Sequence, residues 1–219
     1  MIEQDVIAVF PLPNVVFFPK TDLPLHIFEP RYCAMVKDTI ENHQLIGMFL
    51  LEPGWQDDYY GNPPVHGVGC AGELSHFELL PEDKYNIVLK GFNRVRLLET
   101  TQEFPYRKAR VQILPDLLTA SAADVDSVRL TLLREFQTFL RLSEPQSLPS
   151  IKASSDFAYL VNTIASTLQL DVDIKRNLLE QDDLYLRAVE VEEYLKTQVA
   201  VLQWSGKFAH LRPKDPTVN

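Results

Sequence analysis

The spacing of apolar residues divides the chain into two parts of different texture. Residues 1–117 contain short apolar runs, seven of the eight glycines and 11 of the 15 prolines. Glycine and proline interrupt regular elements, so this part is predicted to form short strands joined by turns. From residue 121 onward the apolar residues recur at helical spacing over long stretches, which predicts helices. We therefore expect an α+β chain with its strands first and its helices last.

The first part is predicted to contain a set of short strands. They are Val6–Phe10, Val15–Phe18, Leu45–Leu51, Gly67–Leu79, Tyr85–Lys90, Arg94–Glu99 and Tyr106–Leu114. The continuously apolar run at Leu45–Leu51 suits a strand that is buried on both faces. Short strands at close spacing are typical of a small antiparallel barrel or sandwich.

One helix is predicted to interrupt these strands, after the stretch LPLHIFEPRY at residues 23–32. Its apolar face consists of Tyr32, Met35, Val36 and Ile40. Pro30 fits the first helical turn, where a missing N–H costs nothing, and Glu29 places negative charge at the helix N-terminus. The residues before it are interpreted as extended chain, with His26 facing outward and Phe28 adding apolar surface to the barrel. The helix is expected to cover one opening of the sheet.

The second part is predicted to contain four helices. They are Ala122–Leu142, Asp156–Leu168, Asp171–Glu180 and Asp183–Trp204. Asp171 is the expected N-cap of the third. The predicted organisation is a β-barrel subdomain at 1–117, a helical bundle at 118–210 and a flexible tail at 211–219.

The charge and the hydropathy of the chain limit the classes of function that we expect. The net charge is −9, with 16 acidic against 10 basic residues up to residue 117 and 14 against 11 after it. Nucleic-acid binding requires a cationic track along the phosphates, so it is not expected. No apolar run has the length of a membrane span, and MIEQDVIAVF lacks the basic segment of a signal peptide. We expect a cytoplasmic protein without a membrane anchor.

The sequence contains no convincing catalytic or metal-binding pattern. His66, Cys70 and His76 share strand parity, but a rise of about 3.3 Å per residue separates the two histidines too far for one ion. Cys33 lies beside the apolar helix face and is expected to pack as a reduced thiol. GVGCAG at 67–72 has dinucleotide-fingerprint spacing, yet a strand-like stretch follows it instead of a helix. We predict no catalytic residues, no metal and no cofactor.

The loop EPGWQDDYYGNPPVHG at 52–67 is unusually aromatic. It carries Trp55, Tyr59 and Tyr60 beside two acidic residues. Exposed aromatic side chains on loops are common anchors for partner proteins. These three are therefore candidate partner-binding residues, and the alternative is that they fold back and cap the barrel. The same two alternatives apply to Phe77 and Phe104.

Three stretches, taken in order, resemble one known family. They are FPLPNVVFFPKTDLPLHIFEPRYCAMV (10–36), GVGCAGELSHFELLPEDKYNIVLKGFNRVRLLE (67–99) and LQLDVDIKRNLLEQDDLYLRAVEVEEYL (168–195). They are similar to the opening, the central hairpin with its G-x-x-R-x-R strand, and the helical end of the Lon protease substrate-binding (N-terminal) domain. The "IFEPRY" form resembles that of free-standing and RING-linked Lon-type domains more than that of the protease itself, and the chain resembles the stand-alone form without the ATPase and peptidase regions.

One departure from the family pattern concerns the central hairpin. The family often has Asp-Gly there, whereas this chain has Pro81-Glu82-Asp83-Lys84. Without glycine a type I′ turn is strained, so we expect a longer loop built on a type I turn.

The resemblance implies a PUA-like β pseudo-barrel followed by a helical bundle. It also implies a non-catalytic module, linked to bacterial proteolysis, that binds proteins or unfolded polypeptides. An alternative from a different class is a small-ligand-binding protein or an enzyme with a pocket between barrel and bundle. The client, a partner protease and the oligomeric state are left open.

Overall fold

A computed structural model of the chain describes residues 6–58, 61–102, 104–143 and 156–207. The strands within these ranges are β1 Val6–Leu12, β2 Asp22–Ile27, β3 Ile46–Leu50, β4 Val68–Leu79, β5 Tyr85–Gln102 and β6 Lys108–Leu114. The helices are α1 Pro30–Asn42, α2 Ala122–Leu142, α3 Phe157–Thr167, α4 Val172–Glu180 and α5 Leu184–Lys207. The α+β class is confirmed. The predicted tail, 211–219, lies outside the described residues.

The six strands form one strongly curled sheet. Its order is β2–β5–β4–β3–β1–β6, and β6 pairs with β5 as well. The sheet therefore wraps around a lumen as a pseudo-barrel. Strand β2 lies outside this closed part and pairs with residues 85–90 of β5. The prediction of a purely antiparallel barrel was wrong in one pair, because β1 and β3 are parallel. Parallel neighbours need a crossover, which the chain makes through β2 and α1.

A compact set of buried side chains fills the lumen. It consists of Ile7, Val9, Leu45, Phe49, Ala71, Val95, Ala109 and Val111. The ring of Phe49 fits only because its neighbours are glycines. A Cβ on Gly69 would lie 2.3 Å from the carbonyl oxygen of Met48 and 2.7 Å from the Phe49 ring. The strand β3 is buried along its whole length, as the continuous apolar run predicted.

Helix α1 packs on the side of the pseudo-barrel that faces away from the lumen. Alternate residues of β1, Ala8 and Phe10, point to this side and share a core with Tyr32, Met35 and Val36 of the helix. The rings of Phe10 and Tyr32 are 4.4 Å apart between centroids. The predicted apolar face of α1 is therefore confirmed, but the helix covers the sheet on this outer side and not at one opening as expected.

The apolar run Val15–Phe18 is not a strand. Phe17 is buried in the core beneath α1, whereas Phe18 is buried among the C-terminal helices. The run is apolar because two successive side chains enter two different cores. Phe28 also differs from expectation, since 59% of it is exposed.

Strand β5 is continuous where the sequence predicted two strands broken at residues 91–93. One edge of β5 pairs with β4 along most of its length, while the partner on its other edge changes from β2 to β6. Gly91 lies at this change. A Cβ there would come within 2.3 Å of the Phe18 carbonyl oxygen, so the glycine lets the 18–20 segment approach the sheet.

The turn between β4 and β5 also corrects an expectation. Glu82 and Asp83 have φ angles of 63° and 54°, which is the left-handed conformation that a type I′ turn requires. The predicted type I geometry is therefore wrong, but the loop is longer than a two-residue turn, since the N–H of Leu80 donates to the Lys84 carbonyl across three residues. The Lys84 ammonium donates to the Glu82 carboxylate at 2.7 Å.

The four C-terminal helices lie close to their predicted bounds because local signals set their ends. Ser121 caps α2 by accepting a hydrogen bond from the N–H of Asp124 at 3.2 Å, and Asp156 caps α3 in the same way through Tyr159. Asp171 occupies the N-cap position of α4, as predicted, but its side chain makes no capping hydrogen bond.

Candidate functional site

The predicted aromatic loop is held against the pseudo-barrel at both ends. The N–H of Glu52 donates to Pro64 across its base at 3.0 Å, and Arg107 donates to the carbonyl of Pro63 at 2.9 Å. Trp55 begins a short 3₁₀ helix, Trp55–Asp58, and its side chain is half-buried. The other two candidates, Tyr59 and Tyr60, lie outside the described residues. Partner binding by this loop stays a prediction.

The β4–β5 hairpin beyond the pseudo-barrel, residues 73–90, carries exposed apolar side chains. We call it the distal hairpin. Phe77 is 46% exposed and Leu79 is 59% exposed. In the strand register Phe77 lies opposite buried Ile87, and Leu79 lies opposite Tyr85, so both point to the face that continues the core beneath α1. We call this the inner face of the hairpin, and it leaves contiguous apolar surface open to solvent.

The opposite, outer face of the distal hairpin is polar. His26 Nδ1 and Asn86 Oδ1 are 2.9 Å apart, and the Asn86 amide donates to the Glu78 carboxylate at 3.2 Å. Phe28 stacks on His26 with 6.0 Å between ring centroids. His26 thus faces outward, as the alternation of LPLHIF predicted. The two faces of the hairpin differ sharply in polarity.

A groove of about 610 Å³ separates the pseudo-barrel from the helices. Residues 14–17 and 20–23 line one wall, and α3 with the start of α4 lines the other. Lys20 spans the groove and pairs with Asp156 at 2.6 Å. On the helical wall, the half-buried Lys175 ammonium donates to the carbonyl of Ser166 at 2.9 Å, and burial lowers the pKa of Lys175. Within the described residues Lys175 makes no ion pair.

The arginines Arg94 and Arg187, which belong to two of the three family-like stretches, are structural. Arg94, in the G-x-x-R-x-R strand, donates to the carbonyls of Leu179 and Pro115 and to the Asp182 carboxylate, at 3.0–3.1 Å. Arg187, four residues after Asp183, is fully buried. Its guanidinium donates to three oxygens, those of Asn162 Oδ1, Asp116 Oδ1 and the Gln181 carbonyl. These arginines join the pseudo-barrel to the helical bundle and are not exposed to a ligand.

The cysteine, serine and histidine side chains that could act as nucleophiles or metal ligands are buried or lie apart from one another. Cys70 is fully buried, and burial raises the pKa of its thiol; burial also raises the pKa of Cys33, whose thiol lies 3.8 Å from the Ile27 carbonyl oxygen. Neither thiol is therefore activated as a nucleophile. Ser75 donates to the Val88 carbonyl and not to His76. In the described ranges, no three His, Cys, Asp or Glu side chains are grouped so as to hold a metal ion.

None of the helices within the described ranges combines sufficient length with sufficient hydropathy to cross a bilayer.

The sequence profile of a known protein family matches this chain. The profile of the ATP-dependent protease La (LON) substrate-binding domain matches residues 6–197. The match covers most of the chain, from β1 into α5, and the chain belongs to this family. The resemblance seen in the three sequence stretches is confirmed.

Curated relatives are similar over the same region. The chain is 28% identical over 207 residues to Lon protease 2 of Myxococcus xanthus, covering 92% of this chain and 25% of that protein. It is 27% identical over 207 residues to the Lon protease of Anaeromyxobacter dehalogenans, covering 92% of this chain and 24% of that protein. The chain thus spans about a quarter of the length of these relatives.

Solved structures share the fold. The Lon N-terminal domain protein from Xanthomonas campestris superposes with a TM-score of 0.62 at 19% identity, covering 85% of this chain and 96% of that one. The N-terminal domain of the Mycobacterium avium complex Lon protease gives a TM-score of 0.68 at 12% identity, covering 87% and 98%. These likenesses confirm the predicted architecture of a pseudo-barrel followed by helices.

Proposed function

We propose that this chain is a non-catalytic recognition module that binds unfolded or extended polypeptide segments. The observation that carries the proposal is its membership of a family of substrate-binding domains, matched over residues 6–197. The apolar inner face of the distal hairpin supports it, because Phe77 and Leu79 offer surface of the kind that unfolded chains expose.

The proposal is tested by direct binding to a permanently unfolded client. A reduced and carboxymethylated protein, fluorescently labelled, is titrated with the full chain while anisotropy is recorded. We expect saturable binding that weakens about tenfold on Phe77→Ser or Leu79→Ser, because each change removes apolar contact area. The matched control is Leu130→Ser on α2, which removes an apolar side chain that is 67% exposed elsewhere on the chain.

Trp55→Ala in the same assay tests the aromatic loop separately. A loss of affinity in this variant and not in Phe77→Ser would place the client on the 52–67 loop. The absence of saturable binding by the unmodified chain to any unfolded client contradicts the proposed function itself.

A second candidate function is the binding of a small anionic ligand in the groove. Its volume of about 610 Å³ is in the usual range of ligand pockets, and Lys175 places a half-buried cation on its wall. A thermal-shift screen of carboxylates and phosphates tests this function. Stabilisation that Lys175→Met abolishes would favour it, whereas an unchanged midpoint with every compound rejects it.

A further inference from the structure

The outer edge of the distal hairpin is an unpaired β edge. Strand β3 pairs with β4 only at residues 70–72, whereas β5 pairs with β4 along 73–79 on the other side. Across the described part of the chain, no strand pairs with the second edge of residues 73–79. The open edge is roughly 23 Å long at about 3.3 Å per residue. Its main-chain N–H and C=O groups are available to an added strand.

The two faces beside this edge differ in chemistry. An irregularity in register between Leu74 and His76 shifts the alternation by one residue. Three apolar side chains therefore point to the inner face, and these are Leu74, Phe77 and Leu79. Three polar side chains point to the outer face, and these are Glu73, His76 and Glu78.

The outer face has an excess of negative charge. Glu73 and Glu78 are both exposed, and in the described residues neither of them makes an ion pair. Lys90 lies opposite Glu73 in the strand register and offsets one of these two charges. Glu82 and Asp83 add two carboxylates at the tip of the hairpin, where Lys84 pairs with Glu82. The whole chain carries a net charge of −9. A partner that lies along this edge meets apolar surface on one side and carboxylates on the other.

We infer that an extended polypeptide with alternating apolar and basic residues adds as a strand to the edge formed by residues 73–79. The inference deepens the proposed function, on which it rests, by naming the kind of segment recognised. Side chains of an added strand alternate between the two faces, so its apolar residues contact Phe77 and Leu79 while its Lys or Arg residues meet Glu73 and Glu78. Main-chain hydrogen bonds to the edge supply affinity that does not depend on sequence.

The competing interpretation is that the carboxylates and the irregular register protect the edge from aggregation. Natural proteins use charges and bulges on edge strands for this purpose. That interpretation predicts no binding of extended peptides, whatever their pattern. The two interpretations therefore differ in a direct measurement.

The first experiment compares labelled synthetic peptides with the full chain. One peptide alternates Val and Lys, the second alternates Val and Glu, and the third has the composition of the first with its valines and lysines grouped. We expect the alternating Val-Lys peptide to bind at least about tenfold more tightly than the other two. Equal binding of the alternating and grouped Val-Lys peptides would indicate unspecific charge attraction and overturn the inference.

Backbone methylation tests the strand geometry itself. In an added strand, alternate N–H groups point to the edge and the others point to solvent. Two versions of the Val-Lys peptide are N-methylated, one at every valine and one at every lysine. We expect one version to lose about tenfold or more in affinity and the other to bind nearly as the parent does. Equal behaviour of the two versions contradicts strand addition.

Variants of the chain place the site. The double change Glu73→Lys and Glu78→Lys should reverse the preference from the Val-Lys to the Val-Glu peptide, and Phe77→Ser should weaken both. Glu193→Lys, an exposed charge reversal on α5, is the control that should leave the preference unchanged. Hydrogen exchange on the complex should show slowed amides within 73–79.

If unfolded client binds while these variants and peptides show no selectivity, the proposed function stands and the edge inference fails. If no unfolded client binds, the proposed function fails whatever the peptides show.

Discussion

Arg94 on β5 and Arg187 on α5 donate hydrogen bonds to the same carboxylate oxygen, Oδ1 of Asp116, at 3.1 and 2.8 Å. Asp116 lies in the segment between β6 and α2, so three distant parts of the chain meet at one atom. Both guanidinium groups are buried, and Arg187 also binds Asn162, whose amide donates to the Pro19 carbonyl at 3.1 Å. This network fixes the pseudo-barrel and the helical bundle to each other.

Asp116→Ala is expected to destabilise the whole chain strongly. The change leaves two buried guanidinium groups short of their shared acceptor. Removing one partner from a fully buried ion pair typically costs about 3–5 kcal/mol. Asp116 is 24% exposed and both arginines keep other acceptors, so we expect a smaller loss of about 2–3 kcal/mol. Urea unfolding followed by circular dichroism should show a midpoint far below that of the unmodified chain.

An exposed ion pair provides the control for this prediction. Arg110 donates to Glu99 at 2.6 Å, and both side chains are exposed. Glu99→Ala should change the free energy of unfolding by at most about 1 kcal/mol, because water screens the pair. Similar effects of Glu99→Ala and Asp116→Ala would show that burial of the arginine network adds nothing to the free energy of unfolding.

The network is an example of long-range contacts that cannot be predicted from the sequence. Arg94 and Arg187 lie in two of the three stretches that resemble the family, yet nothing in those stretches indicates a common partner at Asp116. Pairings between residues so far apart in sequence leave no local pattern. By contrast, Ser121 and Asp156 cap α2 and α3 through residues three positions away, and such local signals set these helix ends in advance.

The strands and the candidate site also show that local patterns can be predicted from the sequence, whereas contacts between distant residues cannot. The strand β2 was interpreted only as extended chain, because its pairing with β5 joins residues about 60 positions apart, such as His26 and Asn86. The exposure of Phe77 depends on which distant elements cover the inner face of the hairpin, and no pattern within β4 encodes that. The sequence therefore suggested Phe77 as one of two alternatives, whereas the structure leaves it open to solvent on an unpaired edge.

Gly69→Ala tests the packing of the lumen. The added Cβ would lie 2.3 Å from the Met48 carbonyl oxygen and 2.7 Å from the Phe49 ring, and the backbone oxygen cannot move aside alone. Overpacking of this kind costs about 1–3 kcal/mol. Thermal or urea unfolding measures the loss.

Gly67→Ala is the matched control, two residues earlier in the chain. A Cβ at Gly67 meets no atom within 4 Å, so its stability should stay near that of the unmodified chain. Equal destabilisation by both alanines would mean that the close approach of Phe49 is not the cause.

Asp83→Gly is expected to stabilise the chain. Asp83 has a φ of 54°, a conformation that costs an L-residue roughly 1–2 kcal/mol and costs glycine little. Part of this gain is offset by the greater freedom of glycine in the unfolded chain, so we expect a net increase of up to about 1 kcal/mol. Asp83→Ala keeps the Cβ and should not raise the urea midpoint. A midpoint raised equally by both changes would show that removal of the charge is responsible.

The carboxyl of Asp183 at the start of α5 should make stability dependent on pH. The hydrogen bond from the Thr119 hydroxyl, followed by those from the N–H groups of Tyr185 and Leu186, lowers the pKa of this carboxyl in the folded state, and burial partly opposes them. Because the folded pKa lies below the unfolded value of about 3.9, the carboxylate contributes its full stability above that pH. The contribution disappears as pH falls through the lower, folded pKa.

Substitutions at both partners test this linkage. At neutral pH, Asp183→Ala should cost about 0.5–2 kcal/mol, the usual loss for a helix cap, and Thr119→Val should also destabilise. For Asp183→Asn, which keeps an acceptor but cannot ionise, the difference in unfolding free energy from the unmodified chain should shrink as pH is lowered from neutral to about 3. Urea unfolding across this range measures the difference. A gap that stays constant down to the lowest pH would show that ionised Asp183 is not preferentially stabilised in the folded state.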